Sequence, residues 1–196
     1  MRNRTRYLIV MALSVVLNLA LYSLASYFNL PVWMDITGTA FAALVLEPAA
    51  GLLVGLANNF YLALFIFDQT TLIYYVVSAA AALIVGVLMK KEGKIRWQRV
   101  FPTILLVIAA SAVLSTAVTV WRDGGIPTAD WEIHFYNVAV QYLHAPRIPA
   151  CFFGILIMKI FDTLAVAAIV TVLYAILPKN LKYSGEELIN RQKQNA

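Results

Sequence analysis

The chain has 196 residues, of which 62% are hydrophobic and only 13% are charged. Soluble domains are about 45–50% apolar and about 25% charged, so this composition predicts a polytopic membrane protein without a soluble catalytic domain. The formal net charge of +5 does not indicate nucleic-acid binding, because the basic residues lie at the ends of apolar segments. A single cysteine, Cys151, excludes an internal disulfide and offers no metal cluster.

Six apolar segments approach the length of about 20 residues that a membrane-spanning helix needs. They cover residues 7–28, 32–46, 49–67, 71–89, 101–121 and 149–177. The second segment reaches only about 22 Å as a helix, which is less than the hydrocarbon core of about 30 Å. It must therefore pack against neighbouring helices or end in a water-filled recess. The first is interpreted as a retained helix, because no small-residue cleavage site follows it. We therefore expect an all-α integral membrane protein, a six-transmembrane-helix bundle over residues 1–178 with a short polar cytoplasmic tail over 179–196.

The basic residues predict the orientation of this bundle. Three arginines precede the first segment, five Lys or Arg follow the fourth and four follow the sixth, which places twelve of the fifteen on one side. Only Arg122 and Arg147 lie on the other side, and Lys159 lies within a helix. The positive-inside rule then predicts a multi-pass protein of the cell membrane with both termini in the cytoplasm.

The second and third segments contain small residues that favour a close helical hairpin, since small side chains let helices approach in membranes. Glu47-Pro48 is expected to form the tight cytoplasmic turn between them, with Pro48 in the first helical turn. The small residues are Gly38, Ala42, Ala43, Gly51 and Gly55.

Between the fifth and sixth segments lies the longest stretch outside the predicted membrane helices. Residues 123–125, Asp-Gly-Gly, indicate a turn. From Asp130 onward, apolar side chains recur at helical spacing and predict an amphipathic helix at the outer interface. These side chains are Trp131, Phe135, Val138 and Tyr142.

Three stretches carry a family resemblance. An Asp-x-x-Gly-Thr that opens the second helix, the following AALVLEPAAGLLVGLANN and the closing KIFDTLAVAAIVTVLYAILP resemble the substrate-binding S-component of energy-coupling-factor (ECF) vitamin transporters. The sequence departs from that pattern at Glu47, where glycine is expected. It also departs in the first helix, where the family's Ala-x-x-x-Ala face is represented by Ala12, Val16 and Ala20.

The resemblance implies high-affinity binding of a vitamin or related small nutrient in the outer half of the membrane. Uptake would be energised by a transmembrane coupling subunit and two cytoplasmic ATPase subunits, and the face of Ala12, Val16 and Ala20 would contact the coupling subunit. The chain has no Gly-rich phosphate loop with Lys and Ser/Thr, so ATP hydrolysis would belong to a partner.

Lys159 and Asp162 are the first candidates for substrate binding. Ionisable groups in membrane helices face a bundle interior or a water-filled cavity, and the i, i+3 spacing places both on one helix face. Counting about 20 residues back from Leu177 puts them at the outer edge of the hydrocarbon core. Two interpretations remain open, namely a ligand pocket and a structural ion pair.

Further candidates come from the outer loop and the third helix. Trp33, Asp35 and Thr37 lie where a lid over the pocket is expected, although an interfacial Trp and a helix-terminal carboxylate are common. Asn58 and Asn59 favour contacts between helices, with substrate contact as the second interpretation. His144 lies in the last outer loop and is a weaker candidate.

Other functional classes are less well supported. The chain contains no HExxH or GxSxG motif, so we expect no catalytic residue, no metal site and no cofactor. A structural or sensory membrane domain and an uncoupled small-solute transporter remain as alternatives. The sequence does not specify the substrate, and we rank a B-type vitamin or its precursor first.

Overall fold

A computed structural model describes residues 2–91 and 94–178 of the protein. The predicted polar tail, 179–196, lies outside the described residues. The described chain is helical apart from loops and one two-residue antiparallel pair, β1 (Lys90–Lys91) with β2 (Lys94–Ile95). The α-helices are α1 (Arg2–Tyr27), α2 (Thr37–Val45), α3 (Pro48–Phe65), α4 (Tyr75–Leu88), α5 (Val100–Asp123), α6 (Asp130–Leu143) and α7 (Arg147–Ile176). Short 3₁₀ turns, Gln69–Tyr74 and Trp97–Arg99, precede α4 and α5.

Five helices of the described chain are long and apolar enough to cross a membrane: α1, α3, α5, α7 and the 3₁₀ turn joined to α4. This agrees with the expectation of a membrane protein. The second predicted segment differs, because α2 has only nine residues and reaches only about 14 Å. Residues 28–36 before it are not helical, since their backbone groups bond to side chains of other helices, as described below.

The two ends of the bundle are distinguished by the chain itself. We call the end where α1 begins and α7 ends the termini end, and the opposite end the far end. At the termini end, the Tyr7 hydroxyl donates to Glu47 Oε1 at 2.6 Å, and Lys90 Nζ donates to the carbonyl of Leu46 at 2.7 Å. Glu47 and Leu46 form the turn between α2 and α3, and Pro48 is the first residue of α3. These contacts give Glu47 a structural role in place of the glycine that the resemblance predicts.

The short helix α2 is surrounded by α1, α3, α4 and α7. Its Gly38 lies against α1 rather than α3, because a Cβ atom at this position would come 1.8 Å from the carbonyl oxygen of Ser14. Gly51 faces α2 as predicted, with its Cβ position 2.7 Å from Ala43 Cβ. The Asn18 side chain joins α1 to α2, because its oxygen accepts a hydrogen bond of 2.5 Å from the backbone N–H of Gly38.

The predicted turn and the predicted helix from Asp130 onward are both present at the far end. Gly124 ends α5 in the left-handed conformation, with φ of 64°, and Gly125 follows with φ of 83°. Helix α6 packs closely on the start of α7, where a Cβ at Gly154 would lie 2.6 Å from the carbonyl oxygen of Glu132. This close approach places Glu132 over the interior of the bundle, where it is buried.

Candidate functional site

A cavity of about 150 Å³ lies in the far half of the bundle. The loop between α1 and α2 forms one wall, and residues of α3, α4, α5, α6 and α7 form the rest. Four of the residues predicted from the sequence border this cavity. They are Trp33, Asp35, Asn59 and Lys159.

Lys159 of α7 is the most unusual residue in the cavity. Its side chain is buried, with 8% of its surface exposed, and it borders the cavity. No described residue forms a hydrogen bond or ion pair with it, although buried ammonium groups normally have partners. Lys159 therefore offers hydrogen-bond donors to whatever occupies the cavity.

Two carboxylates border the same cavity. Burial raises the pKa of Asp35 to about 6; the Lys159 ammonium opposes this shift, while the Asp162 carboxylate adds to it. Burial also raises the pKa of Glu132, whose Oε1 accepts a hydrogen bond of 3.2 Å from Trp33 Nε1. No described side chain hydrogen-bonds to the Asp35 carboxylate, which accepts a hydrogen bond from its own backbone N–H and borders the cavity.

Asp162 has a different role from the one expected. Its Oδ1 accepts hydrogen bonds from the backbone N–H groups of Trp33, at 3.0 Å, and Met34, at 2.7 Å. It forms no ion pair with Lys159. The two N–H groups of the loop engage Oδ1 only, and Oδ2 is buried without a hydrogen-bond partner among the described residues. Asp162 positions the loop, and Lys159 is left facing the cavity.

Aromatic rings form the apolar part of the cavity wall. Trp33 stacks on Tyr22 with ring centroids 6.3 Å apart and an interplanar angle of 8°. Phe67 meets Trp33 edge-on at 6.3 Å, and Tyr74 borders the cavity from the end of the 3₁₀ turn before α4. Trp33 is thus anchored by stacking, by Glu132 and by Asp162, and it forms a wall rather than a free interfacial anchor.

The remaining predicted polar residues near the cavity hold the loop or join helices. The Thr37 hydroxyl donates to the carbonyl of Met34 at 2.9 Å, and Asn58 Nδ2 donates to the carbonyl of Asp35 at 3.1 Å. Neither Thr37 nor Asn58 borders the cavity. Asn59 does border it, and its Nδ2 also bonds to Ser78 Oγ of α4 at 2.8 Å. Thr37 and Asn58 therefore hold the loop that forms one wall of the cavity, and in this way they affect the shape of the cavity.

Two predicted features lie away from the cavity. His144 is exposed at the end of α6, in the left-handed conformation with φ of 50°. It does not border the cavity. Ala12, Val16 and Ala20 are all exposed and share one face of α1. This face is free for lipid or a partner helix.

Several residues of the cavity were missed by the sequence analysis. They are Ile36, Leu62, Phe67, Thr71, Tyr74, Val77, Ser78, Ser115, Thr119, Arg122, Thr128 and Glu132. A signal for part of this set was present in the sequence, because Ser111, Ser115, Thr119 and Arg122 recur at helical spacing and form a polar stripe on α5. Arg122 is paired at the cavity mouth with Asp68, at 2.8 Å, and with Asp123, at 3.6 Å.

Comparison of the chain with protein-family models, with curated proteins and with solved structures finds no match.

Proposed function

We propose that this chain is the membrane-embedded substrate-binding subunit, or S-component, of an energy-coupling-factor transporter. In this proposal it binds a vitamin or related small nutrient with high affinity from outside the cell. A separate transmembrane coupling subunit and two cytoplasmic ATPase subunits energise uptake. The proposal unites the sequence resemblance with a polar cavity inside an apolar helical bundle.

The proposed topology places the termini end in the cytoplasm and the far end outside. Six helices, with α2 as a short buried member of the set, give an even count and both termini on one side. Described basic residues at the termini end are Arg4, Arg6, Lys90, Arg96 and Arg99. This excess over Arg122 and Arg147 at the far end supports the orientation through the positive-inside rule. The cavity then lies in the outer half of the membrane.

One observation carries the proposal. Among the described residues, buried Lys159 has no hydrogen-bond or ion-pair partner, and it borders a cavity that also holds the Asp35 carboxylate, to which no described side chain hydrogen-bonds. In a purely structural bundle, such charges would be paired or replaced by apolar residues, since an unpaired buried charge is destabilising. A ligand that supplies partners to Lys159 and Asp35 explains why both are present.

The first test is binding. The protein is purified in mild detergent, examined by native mass spectrometry for a bound small molecule, and then incubated with a panel of water-soluble vitamins and precursors. We expect one compound to bind with 1:1 stoichiometry and to raise the thermal unfolding midpoint. Lys159→Met should weaken binding at least tenfold. His144→Ala is the control, because His144 is at the same end of the bundle but outside the cavity.

The second test separates a transporter subunit from a sensory or structural domain. In cells that supply coupling and ATPase subunits, the wild-type chain should support ATP-dependent uptake of the bound compound. Val16→Trp, on the exposed face of α1, should abolish uptake and leave binding intact. Binding without uptake by the wild-type protein would favour a sensory domain, and a protein that binds nothing would overturn the proposal.

A further inference from the structure

The cavity presents two opposite charges that do not neutralise each other. Lys159 is on α7, and Asp35 is on the loop before α2. Both border the cavity, yet no ion pair joins them. The two groups thus border one cavity without forming an ion pair with each other. A ligand in the cavity can therefore be a partner to both.

Nearby groups restrict what can occupy this space. Asp162 Oδ1 is engaged by the N–H groups of Trp33 and Met34, and Glu132 Oε1 is engaged by the Trp33 indole. Neither carboxylate forms an ion pair with Lys159. The Lys159 ammonium is therefore open to an acceptor group of the ligand.

A ligand with only one charge fits this arrangement poorly. A simple anion can pair with Lys159 but then lies beside the carboxylates of Asp35 and Glu132, which repel it. A simple cation can pair with Asp35 but leaves the buried Lys159 unpaired and repelled by the ligand. A ligand that carries both an acceptor group and a donor group can satisfy Lys159 and Asp35 together.

The size and lining of the cavity set the body of the ligand. A cavity of about 150 Å³ corresponds to one aromatic ring, since an engineered protein cavity of that size binds benzene. Trp33, Phe67 and Tyr74 offer ring faces and edges around it. Aromatic pairs prefer stacked or edge-on arrangements, which suits a flat ring.

The geometry points to a net-neutral, single-ring ligand that carries an anionic group for Lys159 and a protonated nitrogen for Asp35. This inference rests on the proposed function and names the substrate class of the same site. In the part of the chain that the structure describes, no group of three or more His, Cys, Asp or Glu side chains is placed to hold a metal ion.

The test uses four probes that share one benzene ring: 3-(aminomethyl)benzoate, a zwitterion; benzoate, an anion; benzylamine, a cation; and benzyl alcohol, which is neutral. Dissociation constants are measured by isothermal titration calorimetry at pH 7.5 on the full-length protein in detergent. We expect the zwitterion to bind at least tenfold more tightly than each of the others. This comparison on the wild-type protein needs no variant to fold.

Two variants test which residue binds each charged group of the zwitterion. Lys159→Met should remove the preference for the zwitterion over benzylamine, because the anionic group loses its partner. Asp35→Asn should remove the preference for the zwitterion over benzoate, because the protonated nitrogen loses its partner. His144→Ala should leave all four constants within twofold of wild type. Variants that keep the wild-type order of affinities would overturn the assignment of these two residues.

The outcomes distinguish this inference from the proposed function. If benzoate or benzylamine binds the wild-type protein as tightly as the zwitterion, the inference is overturned while nutrient binding stands. If a compound of the vitamin panel binds but all four probes fail at millimolar concentration, the inference is again overturned. If neither the panel nor the probes bind, the proposed function itself fails.

Discussion

The Asp162 carboxylate accepts a hydrogen bond of 2.7 Å from the backbone N–H of Met34, although the two residues are 128 positions apart in the sequence. Met34 has φ of 57°, a left-handed conformation that is uncommon for residues other than glycine. The neighbouring N–H of Trp33 donates to the same oxygen at 3.0 Å. One buried side chain of α7 thus fixes the loop that forms a wall of the cavity.

Removing the Asp162 carboxylate should release this loop. In Asp162→Ala, two backbone N–H groups lose a charged acceptor, and each such hydrogen bond is worth about 1.5–3 kcal/mol. We expect a lower thermal unfolding midpoint in detergent, faster protease cleavage within residues 28–36 and ligand binding weakened at least tenfold. Asp162→Asn keeps one acceptor oxygen and should be intermediate. Cleavage rates of Asp162→Ala equal to wild type would contradict this role.

The raised pKa of Asp35 predicts how the stability of the ligand-free protein depends on pH. Its folded value is about 6, against 3.8 for an unperturbed group, so the folded chain holds the proton more tightly. The stabilisation is greatest below the unfolded value and is lost as pH rises through about 6. We expect the unfolding midpoint to fall between pH 4.5 and pH 7.

Asp35→Asn tests this assignment, because an amide does not titrate. The variant should be more stable than wild type at pH 7.5 and should lose much of the change between pH 4.5 and pH 7. Part of the change should remain, since burial also raises the pKa of Glu132. The double variant with Glu132→Gln should be flatter still. If the single and the double variant keep the wild-type pH dependence of the unfolding midpoint, neither carboxylate is responsible for that dependence.

Gly38 and Gly55 offer a graded test of helix packing around α2. A Cβ at Gly38 would lie 1.8 Å from the carbonyl oxygen of Ser14, a backbone atom that cannot move alone. A Cβ at Gly55 would meet side-chain atoms of Ser78 and Thr39 at 3.2 to 3.4 Å, which small shifts can relieve. Gly38→Ala should therefore separate α1 from α2 and reduce folded yield severely, whereas Gly55→Ala should cause a modest loss. Equal thermal stability of the two variants would contradict the packing described here.

Local patterns in the sequence predicted most of the helices. Apolar runs located α1, α3, α5 and α7 to within a few residues, apart from an earlier start of α1, and helical spacing located α6. These features depend on neighbours within a few turns, which is why a single sequence reveals them. The start of α2 was misplaced, because residues 32–36 are apolar enough for a helix but bond to distant groups. Asp162, far along the chain, accepts from their backbone.

The candidate site was predicted only in part, because local patterns mark some of its residues and not others. Lys159 and Asp35 stood out as charges in an apolar context, and both border the cavity. The i, i+3 spacing suggested that Lys159 and Asp162 pair, but spacing along one helix does not show which neighbouring element competes for a carboxylate. Glu132 was missed because its burial depends on the close approach of α6 to Gly154. That contact is tertiary and has no local signature.

Ile36 separates the polar cavity from a second, apolar cavity of about 70 Å³ toward the termini end. The residue borders both and is buried. Ile36→Ala should join the two spaces and create room for an alkyl chain. It should also reduce stability, since truncating a buried Ile to Ala typically removes about 2–5 kcal/mol. Val77→Ala is a matched control, because Val77 is buried and borders the polar cavity but not the apolar one.

The measurement compares benzoate with 4-propylbenzoate on both variants. In the wild-type protein, the propyl chain should have no space and should weaken binding. In Ile36→Ala it should enter the apolar cavity and improve binding relative to benzoate by up to about fiftyfold, since three buried carbons at about 0.8 kcal/mol each contribute about 2.4 kcal/mol. Val77→Ala should gain much less, because it enlarges the polar cavity without opening the other. An equal gain in the two variants would show that Ile36 is not the partition between the cavities.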